Sequence, residues 1–249
     1  MLRLIVPSRP QHVALIMDGN RRWARRRGLT PSQGHDAGFA KVVEVADWAE
    51  RLGIQEITLW MLSTENMQRE AEELNALMPI ICRAVKSLVD SGRFTVRHIG
   101  NPAILPAAVV EMLSSLPYRV NGALSVNVAI GYGGPDEIVR AACRYLAEGQ
   151  KLGWTVDDAV AGISEDALEA VMGNHPSPPD LIIRTSGERR LSGFLLWSSA
   201  EAALHIARRH WPDFRQRDLI RGLLSYGRRR ASRRSRPGTV VGALVDPNA

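Results

Sequence analysis

Apolar runs of strand length alternate along this chain with stretches of helical periodicity, and that alternation narrows the fold more than anything else. Residues 12–18 (HVALIMD), 56–62 (EITLWML), 94–100 (FTVRHIG), 123–132 (ALSVNVAIGY), 180–186 (DLIIRTS) and 194–197 (FLLW) read as strands. Between them, 38–53, 72–92, 106–116, 137–149 and the more polar 156–172 carry the spacing of helices. Strands that are apolar on both faces need cover on both. The order therefore predicts an α/β fold with a mostly parallel central sheet and flanking helices. No repeat and no linker divides the 249 residues. The expected organisation is an N-terminal extension over 1–11, a single domain over 12–227 and a basic, flexible tail over 228–249.

In open parallel sheets ligands gather beyond the carboxyl ends of the strands, and that rule sorts the polar residues. Asp18 to Arg22 follow the first strand and Ser63 to Arg69 the second. Gly131 to Gly134 follow the fourth and Arg184 to Ser192 the fifth. The first loop ends a core strand on one acid, Asp18, and faces it with Arg21, Arg22, Arg25, Arg26 and Arg27. Gly19 permits a tight turn, and backbone N–H groups at a following helix start can grip an anion. Arginine adds charge-assisted bonds to phosphate oxygens. A carboxylate beside a polyphosphate makes sense with Mg²⁺ between them. Taken alone, the loop also fits a nucleic acid, or an N-capping aspartate beside solvated arginines. Four such loops on one rim favour a phosphorylated ligand.

Charge and cysteine usage bound the rest. The net charge is +6 and falls almost wholly on arginine, since Lys41, Lys86 and Lys151 are the only lysines. No aromatic-and-basic stacking surface accompanies it, so no nucleic-acid partner is expected, and membrane contact is at most peripheral. No apolar run reaches the roughly 18 residues of a spanning helix. The opening MLRLIVPSRPQ is too short for a secretory signal and is broken by Pro7 and Pro10. Cys82 and Cys143 make neither a metal spacing nor a disulfide framework and read as core fillers. A cytoplasmic protein is expected.

The segments HVALIMDGNRRWA, GHDAG, LSTENMQR, GYGG, DLIIRTSGERRLSGFLLW and WPDF occur in order between His12 and Phe214. Together they resemble the successive motifs of the cis-prenyltransferases, the undecaprenyl diphosphate synthase family. DGNRRWA, LSTENMQR and GYGG are most similar to its short-chain (Z,E)-farnesyl diphosphate synthases. The resemblance implies a homodimer that condenses isopentenyl diphosphate with an allylic diphosphate, such as geranyl diphosphate, and forms a cis double bond. It implies that Asp18 holds Mg²⁺ and assists departure of the allylic diphosphate, and that Asn66 assists proton loss from the acceptor. Gly19, Asn20, Arg21, Arg22, Trp23, His35, Ser63, Thr64, Glu65, Met67 and Arg69 are the substrate-binding positions it implies around the first substrate. Arg184, Arg190, Leu191 and Ser192 are those for isopentenyl diphosphate. Trp23 also reads as packing, and Glu188 as a simple partner of Arg189 or Arg190. Met61 and Ile130 stand where longer-chain members have small residues. A fuller pocket predicts a product on the order of C10 to C20.

The chain also departs from the family pattern. After FLLW, Glu201 and Ala203 occupy the positions of a tyrosine and of a glutamate that supports the metal and the second substrate. Pro135 replaces an arginine after GYGG, Pro31 an arginine near GHDAG, and Met67 and Glu70 an apolar or aromatic residue and a proline. On a helix Glu201 would point about 200° from position 203 and could not substitute. These departures admit an alternative: a diverged member that ionises a prenyl diphosphate but transfers it elsewhere, couples it irregularly or cyclises it.

Overall fold

The computed structural model describes residues 9–117, 124–173 and 176–234, with side chains to Ala231. Residues 1–8 of the expected N-terminal extension and 235–249 of the expected tail lie outside the described residues. Six strands form one sheet: β1 (His12–Ile16), β2 (Glu56–Ser63), β3 (Phe94–Ile99), β4 (Leu124–Tyr132), β5 (Leu181–Arg184) and β6 (Ala203–Ile206). Their order is β3-β4-β2-β1-β5-β6, and every pairing is parallel. Every strand but β5, which leads through a loop to β6, is followed by helix: α1 (Asn20–Arg25), α2 (Pro31–Phe39) and α3 (Val42–Arg51) after β1, α4 (Ala71–Asp90) after β2, and α5 (Ala107–Ser114) after β3. Then come α6 (Gly134–Lys151), α7 (Val156–Gly162) and α8 (Glu165–Met172) after β4, and α9 (Gln216–Arg234) after β6.

Both faces of the sheet are buried, as near-continuous apolar strands require. Alternate residues of β1 serve the two faces. Val13 and Leu15 join the larger core with Ile57, Leu59, Met61, Leu77, Ile81 and Phe214. Ala14 and Ile16 join a smaller one with Ala129, Tyr132, Ile182, Phe194 and Leu195.

Three expectations are corrected. FLLW is not a strand. Ser192 (φ 52°), Gly193 (φ 78°) and Leu195 (φ 48°) hold left-handed backbone, which no strand accommodates. Phe194 and Leu195 are apolar because this turn covers the smaller core. The last strand is instead Ala203–Ile206, so Glu201 and Ala203 do not lie on a helix. The single helix expected over 38–53 is two. A capping box between Thr30 and Gln33, with Pro31 at the first position, starts α2 well before Gly38. Finally, α9 carries the chain as helix through 228–234, where a flexible tail was expected. Tyr226 anchors it, donating to Asp180 at 3.1 Å and accepting from Arg230 at 2.6 Å.

Candidate active site

β1 lies between β2, to which the chain first crosses, and β5, which opens the other half of the sheet. That reversal leaves a crevice beyond the carboxyl ends of β1 and β5, the place where ligands bind in such sheets. Ile16 and Arg184 are in register there. A cavity of about 1190 Å³ opens on this rim. Among its walls are Asp18, Gly19, Asn20, Arg21, Arg22, His35, Met61, Ser63, Glu65, Asn66, Arg69, Arg184, Arg190 and Ser192.

Asp18 is part of its wall. One carboxylate oxygen lies 3.1 Å from Arg22 and the other accepts from Arg184 at 3.1 Å. Burial opposes its ionisation, but the Arg184 hydrogen bond and the Arg22 charge outweigh burial and hold the carboxyl below its usual range. The turn after it demands glycine. Gly19 has φ 109°, and a Cβ there would strike the His210 ring and Ser186. The following α1 is only six residues long, so anion binding here rests on arginine side chains more than on a helix terminus.

On one side of Asp18, Arg22 donates to Ser186 Oγ at 2.6 Å and faces Glu188 at 3.6 Å. On the other, Arg184 is nearly fully buried and donates to the Arg190 carbonyl and, at 2.8 Å, to Ser192 Oγ. Its Nε has no hydrogen-bond partner among the described residues. Ser186 (φ 69°), Ser192 and Leu195 are the non-glycine residues with positive φ among the described residues, and all lie in the loop after β5. Left-handed backbone in three non-glycine residues is a local cost that the surrounding contacts must hold in place.

The loop after β2 closes the third side. Ser63 Oγ accepts from the Asn66 amide at 3.1 Å, and Arg69 donates to Asn66 Oδ1 at 2.9 Å and pairs with Glu73 at 2.8 Å. Arg21 and His35 face the same Glu73 at 3.8 and 3.9 Å. Burial, reinforced by Arg69 and only partly opposed by Glu73, lowers the His35 pKa to about 4. The imidazole is therefore neutral at pH 7, and its buried Nε2 has no hydrogen-bond partner among the described residues.

The family model for undecaprenyl diphosphate synthase matches residues 16–234. The chain belongs to this prenyltransferase family. It is 42% identical over 224 residues to isoprenyl transferase 1 of Streptomyces avermitilis, covering 88% of this chain and 87% of that one. It is likewise 42% identical over 222 residues to the (2Z,6E)-farnesyl diphosphate synthase of Thermobifida fusca, again 88% and 87% of the two chains. Lavandulyl diphosphate synthase from Lavandula x intermedia, solved with dimethylallyl diphosphate, superposes with TM-score 0.79 at 33% identity over 88% of this chain and 95% of that one.

Not every position that the family motifs suggested reaches the cavity of this prenyltransferase. Trp23 lies under the Arg27 guanidinium, 4.2 Å from its ring, and does not line the cavity. Thr64 packs on Gly133, Met67 against the larger core and Leu191 against the smaller one. Ile130 is fully buried in the sheet, while Met61 lines the cavity. GYGG is scaffold and not ligand loop: Gly131 and Tyr132 belong to β4, and Gly133 and Gly134 leave no room for a Cβ beside Thr64 and Leu196. The amide of Gly134 donates to the Gly193 carbonyl at 2.9 Å, fixing the loop that carries Ser192. Glu188 pairs with Arg22 as well as with Arg190, at 3.6 and 3.9 Å.

Sequence reasoning singled out neither Trp60 nor Leu77, which also line the cavity, as does Arg25 of the first loop. Trp60 was hidden inside an apolar strand, and only its register beside Ile16 reveals it. As for metal, no cluster of three or more acidic, histidine or cysteine ligands exists among the described residues. Asp18 offers one carboxylate, a donor that fits Mg²⁺ completed by substrate phosphates and water and would not by itself hold a metal through protein alone.

Proposed function

We propose that the protein is a short-chain cis-prenyl diphosphate synthase condensing isopentenyl diphosphate with an allylic diphosphate such as geranyl diphosphate. One observation carries the reading: Asp18 stands between two separate cationic groups, Arg22 and Arg184, at 3.1 Å from each, in one cavity. Two diphosphates that must react together need two such groups. The solved relative named above holds an allylic diphosphate, in keeping with this.

Asn20, Arg21 and Arg22 bind the allylic diphosphate, with His35 and Arg69 beside it; Arg184, Arg190 and Ser192 bind that of isopentenyl diphosphate. Asp18 would hold Mg²⁺ together with the substrate's phosphate oxygens, and that ion supplies Lewis-acid stabilisation of the departing diphosphate. The allylic C–O bond breaks, and its electron pair leaves with diphosphate. The acceptor double bond supplies the new C–C bond, and a proton is then lost to form the new double bond. Arg21 and Arg22 favour departure because negative charge grows on the leaving group in the transition state. Asn66, its Oδ1 fixed by Arg69, orients the acceptor for proton loss. Met61 and Leu77 on the larger-core side receive the growing chain and keep it short.

The diverted-enzyme alternative loses its motive. Ala203 pairs with Leu181 at the start of β5, whereas the site's Arg184 ends that strand opposite Ile206. Position 203 therefore lies about 10 Å along the strand from this rim. Pro135 occupies the first turn of α6 and packs near Gly193.

We further propose a homodimer and a cytoplasmic location. The dimer is supported by Val139 and Leu146, exposed two turns apart on one face of α6. The location is supported by two free cysteines. No helix among the described residues is long and apolar enough to cross a membrane.

The test is turnover of geranyl and dimethylallyl diphosphates with Mg²⁺, with and without isopentenyl diphosphate, products read by mass spectrometry. A short linear product that requires isopentenyl diphosphate is expected. Diphosphate release without five-carbon addition would reject the reading.

A further inference from the structure

The cavity has two apolar walls on opposite faces of the sheet, and the sheet register separates them. Met61 and Leu77 belong to the larger core. Trp60, one residue earlier in β2, packs against the smaller core with Ile16, Ala129 and Phe194. Arg184, Ile16, Trp60 and Ala129 stand in register across β5, β1, β2 and β4. In-register residues of parallel strands share a face. Trp60 is thus on the same face as Arg184, two strand spacings away, about 10 Å between backbones, with Ile16 between them.

The indole is fixed. It stacks on Phe194 at 4.8 Å with planes 9° apart, and its N–H donates to the Tyr132 carbonyl at 3.2 Å. Tyr132 in turn meets Phe194 edge-on at 6.0 Å, and its hydroxyl donates to Glu137 at 2.6 Å. Phe194 is fully buried and belongs to the same turn as Ser192. One rigid unit therefore carries both a diphosphate-binding hydroxyl and the backing of the Trp60 wall. A wall that cannot move excludes by size, because displacing it breaks a stack and a hydrogen bond together.

We propose that Trp60, backed by Phe194, is the residue that limits the acceptor to a five-carbon unit. With its diphosphate on Arg184, Arg190 and Ser192, the acceptor's hydrocarbon runs over Ile16 and ends against the indole. The inference rests on the proposed function and adds to it. Met61 governs the length of the growing allylic chain, and Trp60 governs the size of what is added to it.

The experiment holds geranyl diphosphate fixed and compares kcat/KM for isopentenyl diphosphate with that for its homologue 3-ethylbut-3-enyl diphosphate. The parent protein should prefer the smaller acceptor by about 10- to 100-fold, the range that one methylene in an apolar pocket supports. Trp60→Ala should shrink that ratio at least about tenfold, and Trp60→Phe should shrink it less. The ratio is unaffected by the fraction of enzyme folded, so a structural role alone would leave it unchanged. If Trp60→Ala fails to fold, Trp60→Phe carries the reading. Met61→Ala should lengthen the product and leave the ratio intact. Condensation with an unchanged ratio in the Trp60 variants overturns the role of Trp60 alone. Absence of any condensation by the parent protein overturns the proposed function with it.

Discussion

At the amino-terminal end of the sheet, His12 is buried between Thr58 Oγ1 at 2.8 Å and the Ser177 carbonyl at 2.6 Å. Asn127 joins Thr58 to Glu56, at 3.1 and 2.7 Å. Asp180 accepts from the amides of Gln11 and His12 and from Tyr226. At the carboxyl end of the same strands, Asn20 Oδ1, His35 Nε2, Arg184 Nε and both ring nitrogens of His210 are buried without a hydrogen-bond partner among the described residues. One end closes its polar groups on itself and holds three non-strand segments in place. The other leaves donors and acceptors unmatched around a cavity. Unmatched buried groups cost folding free energy, so those around the cavity are groups that a polar ligand or water can complete. The difference separates residues kept for stability from residues kept for chemistry.

The largest effect expected is at the open end. Asp18→Asn keeps the shape and removes the charge, and kcat should fall about 1000-fold, the upper range for losing one preorganised electrostatic group. Steady-state turnover checks this, with circular dichroism to confirm the fold. A loss under tenfold would break the comparison. At the closed end the effect should reverse. His12→Ala strips Thr58 and Ser177 of their partner and leaves a void, so urea unfolding should show a loss of about 2–4 kcal/mol. Turnover per folded molecule should stay within about twofold of the parent.

A smaller effect sharpens the contrast through pH. His35 has a folded pKa of about 4 against an unfolded value near 6.5. The unfolded chain therefore binds the extra proton between these values, and the native state does not. The resulting stability is fully present above pH 6.5 and falls as pH drops toward 4. Urea midpoints of His35→Gln between pH 7 and 4 should show a flatter decline than the parent, by about one proton's uptake. Parallel profiles would mean that His35 is not held neutral.

Much of this was legible in the residues, and the failures have physical causes. Five of the six strands follow from apolar runs, because a strand covered on both sides shows itself as uninterrupted Val, Ile and Leu. The sixth was misplaced at Phe194–Trp197 since a buried turn needs the same apolar residues as a strand, and backbone sign is not visible in composition. Asp18, Arg22, Arg184 and Ser192 could be placed on one rim because they follow the carboxyl ends of strands, while their proposed roles came from the family motifs. GYGG was over-read for the same reason: its glycines serve close packing against Thr64 and Leu196. Trp60 was invisible, since only register tells which face of a buried strand meets a cavity. The weight on Ala203 came from the family's glutamate at that position, and Glu201 was set aside on a helical geometry that the edge strand Ala203–Ile206 replaces.

The most direct measurement is a crystal structure with Mg²⁺, isopentenyl diphosphate and an allylic thiolodiphosphate that cannot ionise readily. Two diphosphates should appear on the carboxyl rim, one on Arg21 and Arg22 and one on Arg184, Arg190 and Ser192, with the metal at Asp18 between them. A single diphosphate bridging both arginine groups, or binding away from this rim, would contradict the two-subsite arrangement.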